Sequence, residues 1–428
     1  MLYDFNVVSV LCRKIRGFKV VMYRCFTLLI LVFFLLSCSG KKSDQDEGKD
    51  FDDHGKNDEF LDDVEDAVSE KSDYLGINIH WDHKDFLKIE SILSDLDKIG
   101  VKMVRIDWEW RVVEKEKGVY DWTVYDKLMR MAYSYQIDIY PMVHYPPQWA
   151  VYGNLQKEKG HFGEPPKEEN YKDYAVFIKK SIERFGTNGN APDKFRPIKY
   201  WEIWNEPNYD HFWSPENDFR QYYKMLKTVS EHVKPVYPDV KLVHGGLATA
   251  DWVWLWQGYD TYPDYGDHYD ILSVHPYFID VEKGPRKPSD IDKDDEAWKS
   301  MGFIGSIEDP GYFGKVYNLR NLLHLMGDNN PDRPIWITET GFFTGVNPPA
   351  ATQGKQAELL KETIDYAVLN FNDAPYRQNL YAVNVTKIFW FNYQDYGDEL
   401  LPGTWGLIDI EGNRKLSYQT FKELMQNH

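Results

Sequence analysis

Between residue 74 and the C-terminus, eight short apolar runs open eight successive segments, and this spacing constrains the fold more than any other feature of the chain. The runs are YLGINIH (74–80), VKMVRIDW (101–108), IDIYPMVH (137–144), IKYWEIWN (198–205), VKLVHGG (240–246), YDILSVHPY (269–277), RPIWITETG (333–341) and VTKIFWFNY (385–393). Each is rich in branched and aromatic residues and bounded by polar, Gly or Pro positions, as strands are. Their apolar character is nearly continuous rather than alternating, which suits a parallel sheet covered on its outer face. Between several of them the spacing turns helical. FLKIESILSDLDKIG carries apolar residues at 86, 89, 92, 93, 96 and 99 before a glycine, and YKDYAVFIKKSIERFG, FRQYYKMLKTVSEHV and QAELLKETIDYAVLNF repeat the pattern. Strands alternating with helices predict an α/β protein, a single (β/α)8 barrel over residues 74–428. A doubly wound open sheet is the alternative, but no Gly-rich phosphate loop follows any strand.

The residues before 74 read differently. Arg13, Lys14, Arg16, Lys19 and Arg24 precede the apolar run FTLLILVFFLLSC. That run has the length of a signal-peptide core and is short for a membrane span. Its end, Leu35-Leu36-Ser37-Cys38, resembles the lipobox of bacterial lipoproteins, in which the cysteine becomes the lipidated first residue of the mature chain. Met22 serves equally well as a start, and an ordinary cleaved signal or a short anchor is the alternative. Residues 39–73 hold 14 acidic residues and 5 lysines with few large apolar ones, so they are expected to form a disordered acidic tether. The expected organisation is therefore a signal over 1–38, a tether over 39–73 and a barrel over 74–428. A lipid at Cys38 would hold the barrel at a bacterial cell envelope, on the outer membrane or cell surface, as its only membrane contact.

Composition excludes several functions. With 50 Lys and Arg against 68 Asp and Glu, the net charge is −18, which argues against a nucleic-acid partner. The three cysteines, Cys12, Cys25 and Cys38, all precede the barrel, so it has neither a disulfide framework nor a Cys-ligated metal site. HWDH (80–83) offers a histidine pair, but no further ligand at matching spacing accompanies it; no metal site is expected, and no cofactor signature appears.

Loops after barrel strands form the face where active sites lie. The strand ends supply Arg105, His144, Asn205, Glu206, His275, Tyr277, Glu339 and Trp390. Two glutamates on opposite sides of a barrel mouth meet the needs of glycoside hydrolysis, where one carboxyl protonates the leaving oxygen and the other attacks or activates water. Tyr277 and Arg105 are suited to hold Glu339 ionised, and Glu206, beside Trp204, is the better protonated partner. Glu202, two residues before Glu206, is expected deeper in the barrel, paired with an arginine or lysine. Trp149 and Trp213 are expected to stack on sugar faces. WVWLW (252–256) reads either as further indoles, one or two of them meeting ligand, or as a hairpin or a helix start.

WNEPN on the fourth strand with ITETG on the seventh resembles the retaining glycoside hydrolases of clan A. Arg105, His144, Asn205, Glu206, His275, Tyr277, Glu339 and Trp390 fall where that clan keeps its shared residues, as in family 5. EIWNEPNYDHFW is more similar to family 39, the group of β-xylosidases and a biofilm-exopolysaccharide hydrolase; EKEKGVYDWTVYDKLMRMA and WGLIDIEGNRKLSYQTFKEL are also common in the clan. The resemblance spans about residues 75–426. It implies Glu206 as general acid/base, Glu339 as nucleophile and Asn205 on the sugar 2-hydroxyl. Tyr277 would orient Glu339, His275 would position the acid, and Trp390 would form the floor of the central sugar site. It also implies a cis bond at Trp390–Phe391. The chain departs from family-39 β-xylosidases in ending soon after its eighth strand, without an accessory β-sandwich, which favours an open groove acting within a β-linked oligo- or polysaccharide. A transglycosylase and a non-catalytic glycan-binding lipoprotein are the rival readings.

Overall fold

The computed structural model of the chain describes residues 73–153, 163–277, 312–345, 350–371, 381–396 and 403–426. The expected signal with Cys38 and the expected tether through residue 72 lie outside them, as do residues 154–162 and 278–311. Eight strands form a closed parallel barrel in chain order: β1 (Leu75–Ile79), β2 (Met103–Glu109), β3 (Asp138–His144), β4 (Tyr200–Asn205), β5 (Lys241–Ala248), β6 (Leu272–His275), β7 (Ile335–Thr340) and β8 (Val385–Trp390). Closure comes from β8 pairing with β1, where Gly76 faces Phe389; a Cβ at position 76 would collide with the Phe389 ring. Among the described residues eight longer helices follow the strands, beside a four-residue helix at Trp110–Val113: α1 (Phe86–Lys98), α2 (Thr123–Ser134), α3 (Tyr171–Phe185), α4 (Phe219–Val233), α5 (Trp252–Thr261), α6 (Tyr312–Leu325), α7 (Gln353–Asn370) and α8 (Leu416–Gln426). The chain is a (β/α)8 barrel.

Local chemistry sets these boundaries. Asp85, Asp218, Asp251 and Thr352 cap α1, α4, α5 and α7 by accepting backbone N–H groups of the first turn. The Asp251 cap, bonded to Val253 and Trp254, settles WVWLW as a helix start. The strand β6 stops at His275, short of the run's end at 277, because Pro276 has no N–H with which to extend the ladder. The periodic apolar positions of α1, Ile89, Ile92, Leu93 and Leu96, are buried against the barrel, each stabilising by about 1.5–3 kcal/mol.

Alternation along the strands divides the core. On β2, Trp108 points outward, stacking on Tyr125 of α2 at 3.9 Å and meeting Phe185 of α3 edge-on. Arg105, Asp107 and Glu109 occupy the opposite face. Inside the barrel, Tyr140, Val243, Ile271, Trp336 and Phe389 form a separate apolar cluster with Met103 and Tyr200 at its edge, closing the lower interior. The polar site sits above this floor. On β7 a register shift between Ile337 and Thr340 interrupts strict alternation, and both Thr338 and Glu339 reach the interior. Past β8, Phe391 N donates to Thr340 O, so the extended ladder persists through Trp390–Phe391; the cis bond expected there lies one residue later, at Phe391–Asn392.

Candidate active site

Glu206 leaves β4 through a local twist of the chain. Trp204 and Glu206 both take left-handed backbone conformations, with φ of 77° and 44°, and Pro207 ends regular pairing. Glu206 N still reaches Gly246 O of β5 at 3.0 Å, which fixes the carboxyl's point of departure. Glu339 arrives from the end of β7. Carboxylate oxygens of the two glutamates and a ring nitrogen of His275 lie within 4.8 Å of one another. Each glutamate side chain is 10 % exposed, open to the barrel mouth and otherwise enclosed.

Their surroundings differ. Glu339 Oε1 accepts from Arg105 Nη1 at 2.6 Å and Oε2 from the Tyr277 hydroxyl at 2.6 Å. Burial, then Glu339, push the Tyr277 hydroxyl well above its ordinary range, so it remains a donor. Among the described residues no lysine or arginine lies at hydrogen-bond distance from Glu206; its Oε1 meets His275 Nδ1 at 2.8 Å. Burial raises the Glu206 carboxyl above the ordinary carboxylate value despite the contact with His275. Burial likewise lowers His275, leaving a neutral ring.

Arg105 organises the site from below. Burial alone would lower its pKa, but Glu202 and Glu339 outweigh that and raise it. Its Nε donates to Glu202 Oε2 at 2.6 Å, Nη1 to Asn78 Oδ1 at 2.9 Å, and Nη2 to Asn205 Oδ1 at 3.0 Å. The expected partner of Glu202 is therefore Arg105. Because a guanidinium only donates, the amide oxygen of Asn205 faces Arg105 and its Nδ2 is presented as a donor.

His144 is also at the mouth, but it bonds Asp107 Oδ1 through Nε2 at 2.7 Å. Asp107 Oδ2 meets His80 at 3.4 Å. Burial opposes ionisation of Asp107, yet hydrogen bonds from His144 and His80 hold it well below the ordinary range. Asp107 is readable from RIDW, where it lies two residues beyond Arg105 on the same strand face. Within HWDH, His83 lies 3.6 Å from Glu109 and edge-on to Trp81, apart from the His80–Asp107 pair.

Two tryptophans depart from expectation, Trp213 and Trp390. Trp213 is 0 % exposed and wedged edge-on between Trp204 and Tyr222, so it is core. Trp390 is also 0 % exposed, buried beside Phe342, and offers no face to a sugar. Trp149 is half-buried, donates its indole N–H to Glu114 O, abuts Trp110 edge-on and lies under the Lys117 ammonium. Strand-end position predicted contact for Trp213 and Trp390, but packing absorbed both, whereas Trp149 keeps part of its surface open. The half-buried indole beside the site is Trp405, 5.1 Å from the Tyr277 ring and 6.1 Å from Phe391.

Glu206, His275 and Glu339 are the one grouping among the described residues with metal-ligand spacing. They do not suit a cation, because Arg105 already places a positive charge 2.6 Å from Glu339.

No family model matches the chain. A curated β-xylosidase of Geobacillus stearothermophilus is 24% identical over 229 residues, 50% of this chain and 42% of that protein, so the chain spans less than half of the relative's length. A family 39 glycoside hydrolase from Bacteroides cellulosilyticus WH2 superposes with a TM-score of 0.58 at 20% identity, covering 84% of this chain and 64% of the other. A monomeric β-xylosidase from Caulobacter crescentus CB15 gives 0.56 at 18% over 82% and 67%. Xylanase 10B from Thermotoga maritima gives 0.53 at 15% over 84% and 97%. At these identities the structural likeness is one of fold.

Proposed function

We propose that the barrel is a retaining glycoside hydrolase acting on a β-linked oligo- or polysaccharide by double displacement. The observation that carries this reading is the approach of the Glu206 and Glu339 oxygens to within 4.8 Å. Carboxyl groups about 5–5.5 Å apart suit direct attack on the anomeric carbon, whereas inversion needs about 6.5–9.5 Å to admit a water. Glu339, gripped by Arg105 and Tyr277, attacks the anomeric carbon and forms a glycosyl ester. Glu206 protonates the departing oxygen, then takes a proton from the water that hydrolyses the ester. Asn205 Nδ2, aimed by Arg105, donates to the sugar beside the anomeric centre. Lipid attachment at Cys38, with the acidic tether as spacer, would place this activity at a bacterial cell envelope.

The names of the similar proteins put xylans and aryl β-xylosides first in a panel of β-linked glycans. Digestion with product sizing is expected to release oligomers with retained anomeric configuration, and Glu339→Ala to abolish release. A product of inverted configuration, or wild-type rates in Glu339→Ala, would overturn the reading. Glycan binding without turnover by the wild type would favour the non-catalytic alternative.

A further inference from the structure

The two glutamates are joined a second time, through the barrel interior. From Glu206 the path runs through His275 to Thr338 Oγ1, which lies 3.0 Å from His275 Nε2. Thr338 Oγ1 contacts Ser273 Oγ, and Ser273 Oγ lies 2.9 Å from Glu202 Oε1. Glu202 bonds Arg105, which bonds Glu339.

The direction of each bond in this path follows from its fixed end. Arg105 donates to both oxygens of Glu202, and Gly246 N donates to Oε1 at 3.1 Å, so Glu202 is an acceptor throughout. Ser273 therefore spends its one hydroxyl proton on Glu202. Thr338, facing an oxygen whose proton is already committed, donates to Ser273. With its own proton committed, Thr338 Oγ1 accepts from His275, and the donor is Nε2–H. A neutral imidazole carries one ring proton, so Nδ1 is left with a lone pair. The 2.8 Å contact between Nδ1 and Glu206 Oε1 then needs its proton from the carboxyl group.

We propose that Thr338 and Ser273 are positioning residues that lock neutral His275 in its Nε2–H form, so that Nδ1 stores on Glu206 the proton delivered to the leaving group. The proposal rests on the reading of Glu206 as the acid. A ring protonated at Nδ1 would favour the charged carboxylate; the Nε2–H ring favours the acid. As glycosylation proceeds, the Glu206 O–H bond breaks and a new O–H bond forms on the departing alcohol, while the glycosidic C–O bond gives way to the ester with Glu339. Glu206 is then a carboxylate facing the Nδ1 lone pair, without a donor there. That raises its basicity, as required for removing a proton from the incoming water. The groups facing His275 are Glu206, Glu339 with Oε2 3.7 Å from Nδ1, the Tyr277 ring, and Thr338 leading to Ser273, Glu202 and Arg105. Gly246 also abuts the ring, where a Cβ would collide with Nε2; the bare backbone keeps the ring in line with Thr338.

The test uses protein labelled with nitrogen-15 in its histidines, with the His275 signals assigned by their loss in His275→Gln. At mildly acidic pH the wild type is expected to show a neutral His275 protonated on Nε2. In Thr338→Val the acceptor is gone; an Nδ1–H population is expected to appear, and the alkaline limb of kcat/KM to move to lower pH. For a substrate with a poor leaving group, kcat/KM at neutral pH should fall about two- to tenfold, the worth of one hydrogen bond. Activated aryl glycosides should be spared in the glycosylation step. Thr338→Ser should restore both the tautomer and the profile, which a mere packing role would not do. Ser273→Ala gives a second variant with the same expected direction. A wild-type ring protonated on Nδ1 overturns the proposal, as does an unchanged tautomer in a folded Thr338→Val. If no glycoside is turned over, the hydrolase reading fails, while the ring spectrum still decides whether Thr338 and Ser273 set the tautomer.

Discussion

Arg105 and Glu202 form a fully enclosed ion pair, Nε to Oε2 at 2.6 Å, with 2 % and 0 % of their side chains exposed. The pair is the base on which both reacting carboxyls stand, since Arg105 also grips Glu339 and Glu202 anchors the path that ends at Glu206. Removing one member of a buried pair costs about 3–5 kcal/mol because the other is left uncompensated. Glu202→Ala is expected to lose that much in denaturant unfolding. Arg105→Lys keeps the charge but cannot serve Glu202, Asn205 and Glu339 with one ammonium; kcat/KM is expected to fall about 10²–10³-fold.

Glu206→Gln separates acid catalysis from nucleophilic attack. For leaving groups that need protonation, kcat is expected to drop about 10²–10⁴-fold, and far less for activated aryl glycosides. Steady-state kinetics across a leaving-group series measures the difference.

The raised carboxyl of Glu206 also has a stability consequence. The folded form binds this proton more tightly than the unfolded chain does, so the contribution to stability falls as pH rises from the unfolded value through the folded one. Above that window the penalty is fully present; below the unfolded value it vanishes. Glu206→Gln is therefore expected to melt higher than wild type at neutral and alkaline pH, with the gap closing in acid. Thermal scans over a pH series check this.

Trp405 and Trp213 should part company on substitution. Trp405→Ala removes a half-buried face beside Tyr277 and is expected to raise KM with folding retained. Trp213→Ala opens a core cavity and is expected to cost about 3–5 kcal/mol of stability, without a selective effect on KM. Unfolding curves beside Michaelis plots distinguish the two.

Asp107→Asn tests the rim. Burial works against a charged His80, but Asp107 holds its pKa above the ordinary value. Without that carboxylate the His80 pKa is expected to fall, as read by proton NMR titration. Freed rings at His80 and His144 should raise KM several-fold more than they lower kcat.

The barrel was legible because a parallel strand covered on both faces leaves a continuous apolar run, and the amphipathic helices announce themselves at 3.6-residue spacing. Glu206 and Glu339 were legible because carboxyls at the ends of such runs have few structural uses. Thr338 and Ser273 were not, since a hydroxyl inside a strand carries no sign of which neighbour it will face; the β7 register shift decides that for Thr338. The tryptophans misled for a related reason. Position in the chain placed Trp213 and Trp390 near the mouth, but only three-dimensional packing shows whether an indole ends under a helix or over a groove.

The aromatic plug of Tyr140, Trp336 and Phe389 makes the barrel a cup rather than a tunnel. Incoming saccharide, departing fragment and replacement water must all use one doorway, in turn. On the proposed mechanism, the fragment has to clear the rim before water can reach the ester. Hydroxyl groups of other saccharides compete for that same place, so the ratio of lengthened to shortened chains should climb with saccharide concentration.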